Sequence, residues 1–204
     1  MQPNKANPDA PATRPDRANV LLGVTGGIAA YKAIDLAGKL TAQGFRVRTI
    51  LTDNARRFVQ PISFEAVTRS GVYTSLWEMR DTSASTHIAF VDWADVVVVA
   101  PATANILAKI ANGICDDLLS TSLCACCAKP LLFAPAMNNH MWENPAVQAN
   151  VARLRQMFRA ELIGPATGRL ACGTQGVGRM AEPLDIVEAV RKLIKAPKSV
   201  RRDV

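Results

Sequence analysis

Asn138 is an amide side chain set among Met137, Met141 and Trp142, directly after the apolar run Pro130-Leu131-Leu132-Phe133-Ala134. Such a run reads as a buried strand, and Pro135, with no amide to give to a ladder, is expected to end it. Ligands of open parallel α/β sheets bind beyond the carboxyl ends of strands. The spacing therefore puts one polar recognition group in an apolar pocket, although Met and Trp near a strand end also suit plain core packing. The arrangement recurs earlier in the chain. Pro101 follows Val96-Val97-Val98-Val99-Ala100, and Ala102-Thr103-Ala104-Asn105 then offers two hydrogen-bonding side chains. Gly26-Gly27 follows a third β-type run, residues 19–24, and opens a helical pattern. Backbone amides at such a helix N-terminus bind phosphate, and glycine lets a ligand approach closely. Two groups could move protons. His87 sits at a loop-to-helix junction, where a structural role is the commoner one. Cys172 lies in a segment holding Gly164, Gly168, Gly173, Gly176 and Gly178, which reads as a mobile loop.

The elements that must position these groups follow from periodicity. Four valines without polar alternation imply a strand covered on both faces, as in a parallel sheet. Residues 28–43 read as a helix, with Ala30, Ile34, Ala37 and Leu40 on one face and Gly44 as the C-terminal stop. Residues 45–51 are the next strand. Thr52-Asp53-Asn54-Ala55 leads into a helical segment ending near Phe58, and residues 64–67 read as a short helix. Residues 81–86 read as an exposed polar loop. A helix follows the 96–100 strand and breaks at Gly113, and Asp116-Asp117 caps another through about Cys127. Asn144-Pro145 opens a helix with Val147, Val151, Leu154 and Phe158 on its face. After a last short strand at 161–163, Pro183 opens a helix carrying Leu184, Val187, Val190 and Ile194. The expected fold is α/β, a doubly wound, flavodoxin-like Rossmann parallel sheet in a single domain over residues 19–196. Residues 1–18 read as a disordered leader and 197–204 as a disordered tail.

The loops after the strands carry Gly26-Gly27, Thr52-Asp53-Asn54, Thr103-Ala104-Asn105 and Asn138, and all should share one edge of the sheet. Gly23-Val24-Thr25-Gly26-Gly27 does not have GxGxxG spacing, although Asp53 stands where an acidic ribose ligand would. A mononucleotide phosphate therefore suits the site better than NAD. A tight turn with no ligand is the other reading of the glycine pair taken alone.

The chain has 204 residues, 49% of them hydrophobic, enough to bury a core. The net charge of +7 is partly terminal: Lys195, Lys198, Arg201 and Arg202 lie near the end against Asp203 alone. The modest excess left in the middle argues against a nucleic-acid partner and suits anionic small molecules. No run is long and apolar enough for a membrane span, and the N-terminus lacks the apolar core of a signal peptide. Cys115, Cys124, Cys126, Cys127 and Cys172 are odd in number and do not suggest a disulfide framework, so a cytoplasmic setting is expected. Three cysteines within residues 124–127 lack the second pair or histidines that a zinc site needs, so no metal is expected.

Five blocks resemble the flavin-dependent cysteine decarboxylase family. They are Thr25-Gly26-Gly27-Ile28-Ala29, His87-Ile88, Ala100-Pro101-Ala102-Thr103-Ala104-Asn105, Pro135-Ala136-Met137-Asn138-Asn139-His140-Met141-Trp142 and Ala171-Cys172-Gly173-Thr174-Gln175-Gly176-Val177-Gly178-Arg179-Met180. The last two are the most specific, and the match runs over nearly all of residues 19–195. Within the family the blocks are most similar to the branch acting in coenzyme A synthesis. The resemblance implies 4'-phosphopantothenoylcysteine as substrate and 4'-phosphopantetheine as product. It implies FMN as cofactor, with Gly26, Gly27, Ile28, Thr52, Asn54, Thr103, Ala104, Asn105, Ile106 and Ala136 lining its site. It makes His87 the catalytic histidine and Cys172 a proton donor, and has Asn138 and Met141 hold the substrate, Asn138 near the carboxylate. It also implies a homotrimer, or a dodecamer of four trimers, in which His87 works on a flavin held largely by another chain. Some bacterial members are fused ahead of a synthetase that makes the substrate. With no room for it here, a separate synthetase is the expected partner.

The chemistry needs these groups. Loss of CO2 from a cysteine-derived carboxylate leaves an unstabilised carbanion, so a cofactor must supply an electron sink. Oxidation of the CH2–SH carbon to a thioaldehyde puts the carboxylate β to C=S, and its electrons collapse into sulfur as an enethiolate. That species lacks two electrons relative to the simple decarboxylated product, so a hydride returned to one carbon must be matched by a proton at the other. With an ordinary pKa of about 8.5, Cys172 would carry that proton at neutral pH; Arg169 and Arg179 nearby would lower the value. Relatives that modify peptide C-termini stop at the enethiol and lack this cysteine block. Relatives that serve as phosphatase-inhibiting subunits have altered catalytic positions or long acidic extensions. His87, Asn138 and Cys172 are all present here, and there is no acidic run.

Overall fold

The computed structural model describes residues 18–77, 86–126, 128–169, 173 and 175–195. The expected leader up to residue 17, the 81–85 loop, Cys127, Cys172 and the expected tail lie outside the described residues.

In chain order the elements are β1 (Asn19–Val24), α1 (Ala30–Ala42), β2 (Arg46–Leu51), a 3-10 turn at Ala55–Arg57, α2 (Pro61–Thr68), β3 (Val72–Tyr73), α3 (Thr86–Trp93), β4 (Val96–Ala102), α4 (Ala104–Ala111), α5 (Leu118–Cys124), β5 (Leu131–Pro135), α6 (Asn139–Glu143), α7 (Pro145–Phe158), β6 (Glu161–Leu162), β7 (Ala166–Arg169), β8 (Gln175–Arg179) and α8 (Pro183–Lys195). The main sheet has six parallel strands in the order β3-β2-β1-β4-β5-β6. Setting aside the two-residue edge strand β3, the order is that of flavodoxin-like sheets, reversing direction between β1 and β4.

The valines of β4 show why the sheet is covered twice. Val96, Val98 and Ala100 enter a core with α1, α2 and α8, whereas Val97, Val99 and Ala102 enter a second core with α3, α4, α5 and α7. Alternation along a strand sends successive residues to opposite faces, and here both faces are apolar. Ala30, Ala33, Leu36, Ala37 and Leu40 are the buried stripe of α1. On α8 the buried residues are Pro183, Ile186, Val187 and Val190, while Leu184, expected on that face, is 59% exposed. The stripe is offset because the helix begins at Pro183 and Ile186 takes the inward position.

Caps fix the helix starts. Asp117 and Ser120 form a capping box on α5, with Ser120 N donating to Asp117 Oδ1 at 2.7 Å and Asp117 N to Ser120 Oγ at 3.1 Å. Asn144 Oδ1 accepts from Ala146 N at 2.9 Å ahead of Pro145 in α7. The segment after Asn54 is a 3-10 turn only, and residues 61–68 form a longer helix than the one expected at 64–67.

Two expectations are corrected. Pro101 does not end β4: the strand runs on to Ala102, which pairs with Pro135 after a register shift beyond Val99, whereas Pro135 is the last residue of β5, as expected. Proline is tolerated where a bulge interrupts the ladder. The glycine-rich stretch, expected as a mobile loop, contains an antiparallel pair, β7 with β8. Its glycines permit close approach: a Cβ on Gly168 would lie 2.7 Å from Arg179 Nη1 and 2.9 Å from its Cδ.

Candidate active site

The turns after β1, β2, β4 and β5 meet at one edge of the sheet. Thr25, 3% exposed, joins the first to the third. Its Oγ1 donates to Pro101 O at 2.7 Å and accepts from Thr103 N at 3.2 Å. Ala136 N donates to Ala102 O at 3.0 Å, drawing the β5 turn alongside. The β2 turn is held by Thr52, whose N donates to Val24 O at 3.1 Å and whose Oγ1 accepts from Ala55 N at 3.2 Å. Asn54 abuts Gly26 so closely that a Cβ on Gly26 would lie 2.4 Å from Asn54 Cβ and 2.6 Å from its carbonyl carbon.

A cavity of about 770 Å³ opens there, in the range of small-molecule sites. Of the residues expected in the site, it brings together Gly26, Gly27, Ile28, Thr103, Ala104, Ala136, Asn138 and Met141. Thr52 and Asn54 stand behind Gly26 rather than in the wall, and Asn105 is exposed on α4. The side chain of Ile106 is 1% exposed in the second core, which leaves its backbone to serve a ligand. His87, half-buried at the start of α3, does not line its own chain's cavity. Asp53, the possible ribose ligand, is outside the wall beside Arg56 at 3.6 Å. Asn138 Oδ1 accepts from His140 N at 2.9 Å and so caps α6; its amide nitrogen is the donor suited to a carboxylate.

The wall fits a flavin nucleotide. α1 and α4 both start at the cavity, neither has a side-chain N-cap, and neither has an acid in its first turn. Such ends suit an anion through the positive end of the helix dipole and the amides left unpaired, although in α1 Ala30 N donates to Gly27 O at 2.9 Å and Lys32 N to Ala29 O at 3.0 Å. A Cβ on Gly27 would meet only Thr103 Cγ2, at 3.7 Å, so its absence widens the cradle between the two helix starts. Ala104, Ala136, Met137, Met141 and Met180 supply an apolar surface.

A family model described as Flavoprotein matches residues 10–195. The chain belongs to the flavoprotein family. It is 49% identical over 174 residues to the coenzyme A biosynthesis bifunctional protein CoaBC of Bacillus subtilis (strain 168), covering 85% of this chain and 42% of that protein. The chain thus spans about two-fifths of the length of the curated relatives it matches. Among solved structures it matches a Cys→Ser variant of PPC decarboxylase complexed with pantothenoylaminoethenethiol, with a TM-score of 0.77 and 36% identity over 87% of this chain and 98% of that one. It matches the FMN binding protein AtHal3 with a TM-score of 0.75 and 36% identity, over 87% and 96%.

The cavity of this flavoprotein also holds residues that sequence reasoning assigned no place in the site: Tyr31, Lys32 and Met180. Lys32 lies one turn beyond Ile28 on α1, a spacing that could have pointed to it. Its partner, Glu182, is remote in sequence, and only the fold joins them. Arg169 and Arg179, noted only as neighbours of Cys172, line the cavity too. A second cavity of about 690 Å³ lies at the opposite, amino end of the strands, where Arg48 sits 4.4 Å over the Trp93 ring. Among the described residues no three His, Cys, Asp or Glu side chains are grouped to hold a metal, and no helix is long and apolar enough to cross a membrane.

Behind α4, Lys109 meets Asp116 and, at 2.8 Å, Asp117. Desolvation opposes its charge, but the hydrogen bonds to Asp116 and Asp117 outweigh it and raise its pKa. Beside them, desolvation, a hydrogen bond with Cys124 and the two aspartates push the Cys115 thiol up to about 11. Because the thiolate is the nucleophile, Cys115 is expected to alkylate at pH 8 roughly two orders of magnitude more slowly than an ordinary thiol. The rate should climb until pH passes 11. Timed iodoacetamide labelling with peptide mass spectrometry measures this, and ordinary labelling at pH 8 would contradict it.

Proposed function

We propose that the chain is an FMN-dependent decarboxylase that converts 4'-phosphopantothenoylcysteine to 4'-phosphopantetheine in coenzyme A biosynthesis. The observation that carries the proposal is the placing of Asn138 and Met141 in the same wall as the two uncapped helix starts. A substrate carboxylate held by Asn138 would lie beside a nucleotide seated on those amides. A flavin bound there supplies a two-electron oxidation of the cysteine side chain and its reversal. Gly26, Gly27, Ile28, Thr103, Ala104 and Ala136 would hold the flavin directly, with Thr52, Asn54, Asn105 and Ile106 in support, and Cys172 would donate the closing proton. The likeness to CoaBC and to PPC decarboxylase supports the substrate.

We further propose that the working unit is a trimer or a multiple of it, with His87 supplied by a neighbour. Two observations support this. His87 is absent from the cavity of its own chain. The rim carries Ile28 and Tyr31 at 62% and 60% exposure, more apolar surface than an isolated site rim needs.

The test is the purified protein with phosphopantothenoylcysteine under anaerobic conditions. Heat-released cofactor should run as FMN on a column, and the product should differ from substrate by loss of CO2 alone. A product short of two further hydrogens would make the enzyme an oxidative decarboxylase of the peptide-modifying kind. A flavin-loaded protein with no turnover would favour a regulatory subunit.

A further inference from the structure

Cations and acids are segregated around the cavity. Lys32, from the first turn of α1, Arg169, from β7, and Arg179, from β8, all line it, and no Asp or Glu does so among the described residues. Their carboxylate stands behind the wall. Glu182 Oε1 accepts from Lys32 Nζ at 2.9 Å and from Arg179 Nη2 at 3.2 Å. The Lys32 hydrogen bond first, against the opposing desolvation, and then the charges of Lys32 and Arg179 hold the Glu182 carboxyl below the ordinary range. The Lys32 side chain is 16% exposed and its ammonium is paired with Glu182. Arg179 crosses the face of Gly168, where any side chain would collide with it. Two of the three cations are therefore positioned in advance, by a carboxylate on one side and a missing side chain on the other. Three positive charges with one acid behind them exceed what the substrate's carboxylate requires, and Asn138 already suits that group. The excess matches a phosphomonoester dianion, for which a guanidinium fork is the preferred partner.

We propose that Lys32, Arg169 and Arg179 form the seat of the substrate's phosphate, and that this seat distinguishes phosphopantothenoylcysteine from unphosphorylated cysteine conjugates and peptide C-termini. The inference rests on the functional reading above for its substrate. The flavin carries the same chemical group, but its phosphate has the uncapped starts of α1 and α4 to receive it.

The test compares phosphopantothenoylcysteine with pantothenoylcysteine on flavin-loaded wild type, Arg169→Ala, Arg179→Ala, Arg179→Lys and Lys32→Met. Each alanine variant should lower kcat/KM for the phosphorylated conjugate roughly 10- to 100-fold, the size of a lost charge-assisted contact. The loss should lie mainly in KM, as for binding made equally in ground and transition states, and be far smaller for the unphosphorylated conjugate. Arg179→Lys should recover part of it. In calorimetry with the same flavin-loaded proteins, the preference for phosphopantetheine over pantetheine should shrink in parallel. Equal losses on both conjugates would overturn the proposal, leaving a structural clasp. Weaker binding of free FMN with an unchanged conjugate ratio would also overturn it, giving the cations to the flavin instead. If wild type turned over neither conjugate, the functional reading would fail; calorimetry would still decide the seat, equal affinity for phosphopantetheine and pantetheine overturning it.

Discussion

Gly26→Ala is expected to yield a folded but colourless protein. The added Cβ would lie 2.4 Å from Asn54 Cβ, 2.6 Å from its carbonyl carbon and 2.8 Å from its carbonyl oxygen. Two of those atoms are backbone, so no change of rotamer relieves the overlap. The β1 turn and the β2 turn must separate, and the first of them is the cradle at the start of α1. Overpacking of this kind costs about 3 kcal/mol, and a cost borne by the bound state alone is roughly a hundredfold in affinity. Gly27→Ala provides the contrast, because its Cβ makes only an ordinary contact, 3.7 Å from Thr103 Cγ2, and should weaken binding less. Flavin absorbance per mole of protein, beside far-ultraviolet circular dichroism for the fold, measures both. A stoichiometrically yellow Gly26→Ala protein would show that the turn does not hold the cofactor.

His87→Asn is expected to lower turnover by roughly 10²- to 10⁴-fold, the usual weight of a positioned acid or base, while retaining flavin. Retention is expected because the groups proposed to hold the flavin, the glycine turn at Gly26 and Gly27 and the wall at Thr103, Ala104 and Ala136, are untouched by the change. Cys172→Ser should behave differently, since the resemblance gives it only the closing proton. It should still decarboxylate, but release the unsaturated enethiol. Serine is nearly the same shape and a far weaker acid, so packing is kept while proton donation is lost. Mixing His87→Asn with Asn138→Asp subunits should restore part of the activity if neighbours share sites. Anaerobic flavin bleaching with product mass spectrometry separates the outcomes. Full conversion by Cys172→Ser at an unchanged rate would remove its role, and failure of mixed subunits to recover would return His87 to a site within its own chain.

The sequence made some of this legible for identifiable reasons. The four valines of β4 have no polar alternation, and that alone required apolar cover on both faces, which the two cores supply. Asn144-Pro145 and Asp116-Asp117 marked helix starts through local chemistry and needed no tertiary information. The edge strand β3, two residues long, is too short to leave a periodic trace. β7 and β8 were hidden because glycine weakens a strand pattern, and the need for Gly168 becomes visible only once Arg179 lies across it. In the site, residues flanking glycine or proline were readable from spacing. Thr25 and Lys32 were not read as site residues because their meaning lies in partners brought to them by the fold, Pro101 and Thr103 for one and Glu182 for the other.

The register shift between β4 and β5 sets a limit on chain length at one point. Between the pairs Val99 with Phe133 and Ala102 with Pro135, the first strand advances one residue more than the second. Strand side chains alternate, so adding or removing one residue reverses the facing of everything beyond it. Deleting a residue between Val99 and Thr103 would even out the ladder yet turn the start of α4 away from Thr25, whose hydroxyl holds Pro101 and Thr103. Surface loops elsewhere can vary in length at little cost. Here descendants of the chain can exchange residues but not gain or lose one, and homologous sequences should align across this stretch without gaps.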